Sequence, residues 1–376
     1  MKLGPTKRFI LAIIFFFNSS AFAQWVESDY QNKVDGKKRL SIVYVGQNIK
    51  SPISMFGHVY LVFHDERVPE PNAITFEFTG SINGVGDYLG TLFGTTKGFY
   101  KFSLLDYKKR DHDLENRSSW VYEVAFTDDE LTTFKKNIAV LSSNEYHYSV
   151  FNLNCASYLI EQIRSIRGQE YQQESIFFVS PDSTIRWLHK KQMIGTPLFI
   201  PSSQVKALGY FNKLNGEDQS KVMQAFAGVS ITDPPSSDNF SKALSASADY
   251  LMARDDNFSS RVNVFNIKKN HPLSDENAVK FYDPAEIDGS ATYSALLSNQ
   301  GLIFKFRPGF LDFENESFYG LRNSSTEFLG LSILLNTKRL ELEKFTLFRA
   351  EAYVPDEFLY DSGSQLFDIS FTNFRR

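Results

Sequence analysis

Residues 151–168 read Phe-Asn-Leu-Asn-Cys-Ala-Ser-Tyr-Leu-Ile-Glu-Gln-Ile-Arg-Ser-Ile-Arg-Gly and contain the chain's only cysteine, Cys155. Asn154 has the short polar side chain of an N-cap, able to accept the free N–H groups of a first helical turn. Ala156, Leu159, Ile160, Ile163 and Ile166 recur at helical spacing, and Gly168 stands where helices often end on a glycine. The spacing predicts a helix that starts at Cys155 and lays one apolar stripe on a sheet. A thiol in that first turn meets unpaired backbone N–H groups and the positive end of the helix dipole, which favour its anion. The thiolate is the nucleophilic form, and the same N–H groups can hold the oxyanion of an acyl-transfer intermediate. A lone cysteine in any other setting reads as a small buried hydrophobe.

Upstream lie the strands such a helix would cover. Residues 39–47 and 57–64 are rich in β-branched and aromatic side chains, 74–79 (Ile-Thr-Phe-Glu-Phe-Thr) alternate cleanly up to Gly80, and 120–126 make another strand. Between Gly84 and Gly98 the glycines predict a long loop. Thr127 followed by Glu130 forms a capping box before the stripe Leu131, Phe134, Ile138 and Leu141. These elements predict an α+β domain: an antiparallel sheet with helices packed on it.

A nucleophilic cysteine needs a base. His58 follows Gly57 at the start of an apolar strand, where it is rigidly aimed and its neighbour admits a second backbone. Taken by itself a strand histidine is more often structural; beside a helix-start cysteine it becomes the first candidate. His64 shares a strand face with His58, Tyr60 and Val62 and reads either as a partner of His58 or as the strand's polar exit. His147, between Tyr146 and Tyr148, is the second candidate base, and His112 lies in a charged stretch that reads as a turn. Glu77 is a candidate orienter, although its neighbours Thr75 and Thr79 make a solvent-facing edge the plainer reading. His58, His64 and Asp65 lack the compact spacing of a zinc site, so neither metal nor cofactor is expected.

The first residues read as an address. Lys2, Lys7 and Arg8 precede the apolar run Phe9–Phe17, and Ala21-Phe22-Ala23 makes a small-x-small cleavage site before Gln24. That is the pattern of a secretory signal peptide over 1–23, with a run too short to span a bilayer, which takes about 20 residues. One cysteine in an exported chain allows no internal disulfide. The formal net charge of −4 over 376 residues argues against nucleic acid as a partner. The 36 Phe and 18 Tyr suit β-rich structure or apolar ligand surfaces.

Residues 196–287 change character, with Pro234-Pro235 and two expected helices at 216–227 and 238–253. From 288 to 376 the pattern turns to β, as in Leu302-Ile303-Phe304-Lys305-Phe306 and Leu340–Phe345, with turn signals at Pro308-Gly309 and Asn323-Ser324-Ser325.

Several short motifs occur in a telling order: Ser54-Met55-Phe56-Gly57-His58, Glu115-Asn116-Arg117 with Trp120, Asn154-Cys155, and Pro181-Asp182-Ser183-Thr184-Ile185-Arg186. Together they resemble the N-terminal periplasmic domain of the Lnb-type lipoprotein intramolecular transacylases, over about residues 40–195. The resemblance implies a permuted papain-like fold of the NlpC/P60 kind over 24–195, with histidine before cysteine. It also implies acyl chemistry on a lipid or lipoprotein through Cys155, with His58 as base. Asn154, Ser54, Glu77 and His64 are then candidates for orienting the base or holding the oxyanion. Phe151-Asn152-Leu153 stands where many members carry an acidic residue. The C-terminal part resembles the β-rich region that follows this domain in Gram-negative relatives and looks like an outer-membrane barrel; 288–376 could hold about half of the eight strands a barrel needs. That leaves either an incomplete barrel or a small soluble sheet that needs a partner for its open edge. Two other readings are a peptidoglycan amidase or peptidase, which would need a polar cleft, and a non-catalytic outer-membrane module with Cys155 buried. In the acyl-transfer reading, the glycine-rich stretch 84–102 is a candidate lid.

Overall fold

A computed structural model of the chain describes residues 32–47, 57–81, 87, 90–91, 94–141, 146–168, 179–226, 229, 237–254, 283–286, 292–299, 301–307, 309–311, 324–336, 339–352 and 365–372. The expected signal peptide and Ser54 lie outside these residues, as does much of 84–94. The architecture is α+β. One sheet contains β1 (Arg39–Val45), β2 (His58–His64), β3 (Ile74–Gly80), β4 (Thr96–Leu104), β5 (Ser119–Glu123), β6 (Tyr146–Tyr148) and β7 (Leu198–Ile200), in the order β6-β4-β3-β2-β1-β5-β7. The ladders β2–β3, β3–β4, β4–β6 and β5–β7 are antiparallel.

The chain divides into two compact units. The first comprises Met1–Ile42, Tyr60–Lys108 and Glu123–Phe178; the second comprises Val43–Val59, Lys109–Tyr122 and Val179–Arg376. In the first, α2 (Asp128–Leu141) and α3 (Cys155–Arg167) pack together, and α3 lies on β3. The expected capping box closes α2: the Glu130 N–H donates to Thr127 Oγ1 at 3.2 Å, and the Thr127 N–H to Glu130 Oε2 at 2.8 Å. Arg167, in the last turn of α3, pairs with Glu130.

Aromatic side chains make the core between β3, β4 and α3. Phe76 faces Phe102 and Phe78 faces Tyr100 across the ladder. Phe76 stacks on Tyr100 at 5.3 Å, Phe78 on Tyr148 at 5.5 Å, and Tyr158 meets Tyr100 edge-on at 5.1 Å. Offset and edge-to-face pairs of this kind add about 0.5–1.5 kcal/mol each beyond area burial. Gly98 makes room for them, since a Cβ there would sit 2.6 Å from the Phe78 ring.

That geometry corrects the glycine-rich loop. β4 begins at Thr96, so residues 96–102 of the 84–102 lid candidate are paired strand, not a mobile cover. Its glycine serves packing rather than flexibility. The Phe76/Phe78 face is apolar by alternation, and the other face carries Thr75, Glu77 and Thr79. This second face is not a solvent edge as its composition suggested: β3 lies inside the sheet, Thr75 Oγ1 meets Ser103 Oγ at 2.7 Å, and Glu77 is buried against the Lys108 ammonium.

The charged stretch around His112 is a helix, α1 (Leu105–Leu114), not a turn. In the second unit the buried His112 has Nδ1 3.3 Å from Ser119 Oγ. Asn116 turns the chain after α1 with a positive φ of 59°. Arg117 then donates from Nε to the Gly46 carbonyl at 2.6 Å. Trp120 lies between Tyr44 and Phe199, with ring centroids 5.7 and 5.0 Å away. α4 (Pro181–Lys190) carries an Asp182–Arg186 ion pair at 2.8 Å. Beyond it come α5 (Ser203–Phe211), α6 (Gly216–Phe226) and α7 (Asp238–Arg254), close to the two expected helices, around a core that includes Tyr210, Phe240 and Tyr250.

The C-terminal strands form a second, antiparallel sheet: β8 (Thr292–Ser298), β9 (Gly301–Arg307), β10 (Gly309–Leu311), β11 (Ser324–Leu335), β12 (Leu340–Ala352) and β13 (Gln365–Thr372). Their order is β13-β12-β11-β9-β8, with β10 also on β11. Among the described residues this sheet is open, and no helix is long and apolar enough to cross a membrane.

Candidate functional site

Cys155 is the first residue of α3, as its sequence setting predicts. Asn154 holds the N-cap with φ −124° and ψ −176°, and its Oδ1 accepts from the N–H groups of Ala156 at 2.8 Å and Ser157 at 2.9 Å. Ser157 Oγ accepts the Asn154 N–H in return at 2.9 Å, which completes a capping box. The Asn154 side-chain amide donates to the Val150 carbonyl at 2.8 Å and pins the preceding turn. The turn is tightened further by the Ser149 N–H on the Leu153 carbonyl at 2.8 Å. A cysteine held this way has little freedom in its backbone. Only 4 % of Cys155 is exposed.

A group the sequence did not single out lies against Cys155. Tyr148, at the end of β6, directs its hydroxyl to the Cys155 thiol and also accepts the Cys155 backbone N–H. Burial first, then the adjacent Cys155 and the hydrogen bond to it, hold the Tyr148 phenol well above the ordinary tyrosine range. The phenol therefore stays protonated at neutral pH and serves as a donor. Tyr158, one helical turn past the cysteine, is likewise raised by burial and then by Tyr100. The signal for Tyr148 was available in Tyr146-His147-Tyr148, because alternation puts both tyrosines on one face and His147 on the other. Accordingly Tyr148 is buried and His147 is exposed, pairing in register with Lys97 of β4.

His58 opens β2 and is half-buried. Gly57 before it has φ +79°, and a Cβ there would come within 2.8 Å of the Val45 carbonyl oxygen and 3.0 Å of the Tyr44 ring. The glycine is thus required twice, by its backbone conformation and by the close approach of β1. His64, at the other end of β2, is fully buried: Nε2 lies 2.8 Å from Ser41 Oγ and Nδ1 2.7 Å from the Glu66 carbonyl. It is a hydrogen-bonded strand end rather than an exposed polar exit. Glu77 bears on the site through charge, since its carboxylate adds to the rise of the Tyr148 phenol. Among the described residues no three or more His, Cys, Asp or Glu side chains converge as metal ligands would.

Residues 26–191 match the family model described as the Lnb N-terminal periplasmic domain. No curated protein and no solved structure matches the chain. The matched span contains β1 to β6 and α1 to α4, and with them Cys155, Tyr148, His58, Glu77 and His64. Over residues 26–191 the chain is therefore similar to the Lnb N-terminal periplasmic domain family, a match that implies an exported protein.

Proposed function

We propose that the chain is a periplasmic, thiol-dependent acyltransferase or acyl hydrolase acting on a lipid or lipoprotein, with Cys155 as nucleophile and His58 as base. His58 takes the thiol proton, and the sulfur attacks the ester carbonyl to form a carbon–sulfur bond. The oxyanion that develops is met by two donors, the Cys155 N–H and the Tyr148 O–H. Collapse breaks the ester carbon–oxygen bond, and His58 returns the proton to the departing alcohol. An amine or water then attacks the thioester, its proton passes to His58, and the carbon–sulfur bond breaks to restore the thiol.

The observation that carries this reading is the thiol on the first residue of a capped helix with the Tyr148 hydroxyl hydrogen-bonded to its sulfur. The match of residues 26–191 to the Lnb N-terminal periplasmic domain supports a lipoprotein-related role in the periplasm. Association with the outer membrane, where lipids and lipoproteins are at hand, is part of the same reading.

The test is to incubate the purified chain with a long-chain p-nitrophenyl ester and, separately, with a peptide-like thioester. The expected result is a hydroxylamine-labile acyl adduct on Cys155 from the long-chain ester, absent in Cys155→Ser and strongly reduced in His58→Ala. A faster reaction with the peptide-like probe would favour the peptidase reading, and no adduct from either would overturn thiol chemistry.

A further inference from the structure

The C-terminal sheet presents an open, uncharged face. The register runs Leu297–Leu302–Leu335–Leu340 across β8, β9, β11 and β12, and the next row on the same face is Ala295–Phe304–Ile333–Leu342. A third row adds Phe306, Leu331, Phe345 and Phe371. None of these residues carries a charge, and the face is open: Leu297 is 81 % exposed, Leu340 69 % and Phe371 65 %.

The opposite face holds the charges and, at its middle, the more deeply covered side chains Ser332, Leu334 and Thr346, while Leu296 on its outer strand is 56 % exposed. Lys344 pairs with Asp368 at 3.2 Å and Arg349 with Glu351 at 2.8 Å, and both Ser332 and Thr346 are buried. Ser332 Oγ donates to Glu343, at the irregularity in β12, at 2.7 Å. A sheet folded against water does the reverse, hiding its leucines and exposing its ion pairs. Contiguous exposed apolar surface of this extent marks an interaction site.

We propose that this Leu/Phe face is a lipid-contacting surface that lies against bilayer hydrocarbon. Inverted polarity is what hydrocarbon selects, because apolar side chains then face the solvent they match while charges turn inward. β11 and β12 have 12 and 13 residues, enough to cross a bilayer core, which takes about 9–11 residues in a tilted strand. A second protein copy would bring its own polar rim, and no charged rim interrupts these three rows. The proposal rests on the membrane-association part of the proposed function and is independent of the thiol.

The experiment uses the full chain in a Cys155→Ser background, so a failure of the thiol chemistry cannot affect its outcome. Single cysteines are placed at Leu297→Cys or Leu340→Cys on the apolar face, and at Thr372→Cys on the other, then labelled with an environment-sensitive fluorophore. Circular dichroism confirms that each variant is folded before phosphatidylethanolamine–phosphatidylglycerol vesicles are added. The expected result is flotation with the vesicles and a blue shift at positions 297 and 340 but not at 372. A chain that stays out of the vesicle fraction with unshifted labels overturns the proposal. So does a blue shift without vesicles that grows with protein concentration, since a second copy then covers the face.

Discussion

The two sheets use the same alternation and reach opposite results. In the sheet carrying Cys155, β2 is buried from Val59 to His64 and β3 from Ile74 to Phe78, so apolar and polar faces are both covered. In the C-terminal sheet the polar face is the better covered one and leucine and phenylalanine lie open. A period of two says that a strand has two different faces; it does not say which solvent each will meet. What decides is whether the polar face finds partners. Glu77 finds Lys108 and Thr75 finds Ser103, which lets that face go inside along with the aromatics. Lys344, Arg349, Glu351 and Asp368 find one another, and their strands leave the aliphatic side uncovered.

The sharpest way to break this comparison is to separate the two sheets' functions. Cys155→Ala should lower acyl turnover by about 10⁴-fold or more, the range seen when a covalent nucleophile is removed. The same variant should float with vesicles as the native chain does. Loss of both properties together would mean that the sheets do not act independently. Smaller, but still large, is the effect expected in the aromatic core. Phe78 is fully buried, so Phe78→Ala should cost about 3–5 kcal/mol. Leu340→Ala, made in water on an open face, should stay within about 0.5 kcal/mol. Urea melts read the difference, and an equal cost at both sites would show that Leu340 is covered in solution.

Tyr148→Phe probes the donor on the sulfur with a gentler change. The ring keeps its packing on Phe78, while the hydroxyl that meets both the thiol and the Cys155 N–H is gone. Removing one such donor should slow acylation by about 10²-fold, at the lower end of oxyanion-donor losses. Unfolding free energy should fall by no more than about 1.5 kcal/mol. A stability loss without a rate loss would make Tyr148 a packing residue.

The helix start at Cys155 was legible because every signal for it is local: the cap at Asn154, the stripe and Gly168 all lie within one segment. Helix α1 was not, because Leu105-Asp106-Tyr107-Lys108-Lys109-Arg110-Asp111-His112-Asp113-Leu114 has no apolar stripe to count. β4 was hidden by Gly98, which reads as loop and is there for the Phe78 ring. Tyr148 was invisible as a partner of Cys155 for a different reason. Alternation in Tyr146-His147-Tyr148 turns its ring inward, but only the closed turn from Ser149 to Leu153 brings that ring against the start of α3. The turn at Phe151-Asn152-Leu153 before Asn154-Cys155 is held by Ser149 Oγ, which accepts the N–H groups of Phe151 and Asn152, both at 3.3 Å.

A last expected effect separates the sheets by pH. The Glu66 carbonyl can only accept, so neutral His64 carries its proton on Nδ1 and takes the Ser41 hydroxyl on Nε2. A second proton would remove that acceptor, and burial, the largest influence, holds the His64 pKa below its ordinary 6.5. The unfolded chain therefore binds a proton that the folded one refuses. Stability is full above about pH 6.5 and falls as the pH drops from there toward the folded value, by at most about 1.4 kcal/mol per pH unit for this one proton. Asp368 in the C-terminal sheet has the opposite assignment: burial pushes it up, but Ser370 and Lys344 outweigh burial and hold it below 3.8. Its contribution is present above that value and lost only as the pH falls through it. Between about pH 6.5 and 4 the sheet with His64 should weaken while the ion pairs of the other remain. Urea melts of the native chain and His64→Gln across that window check it: the variant should lose the native slope, and an unchanged slope would exonerate His64.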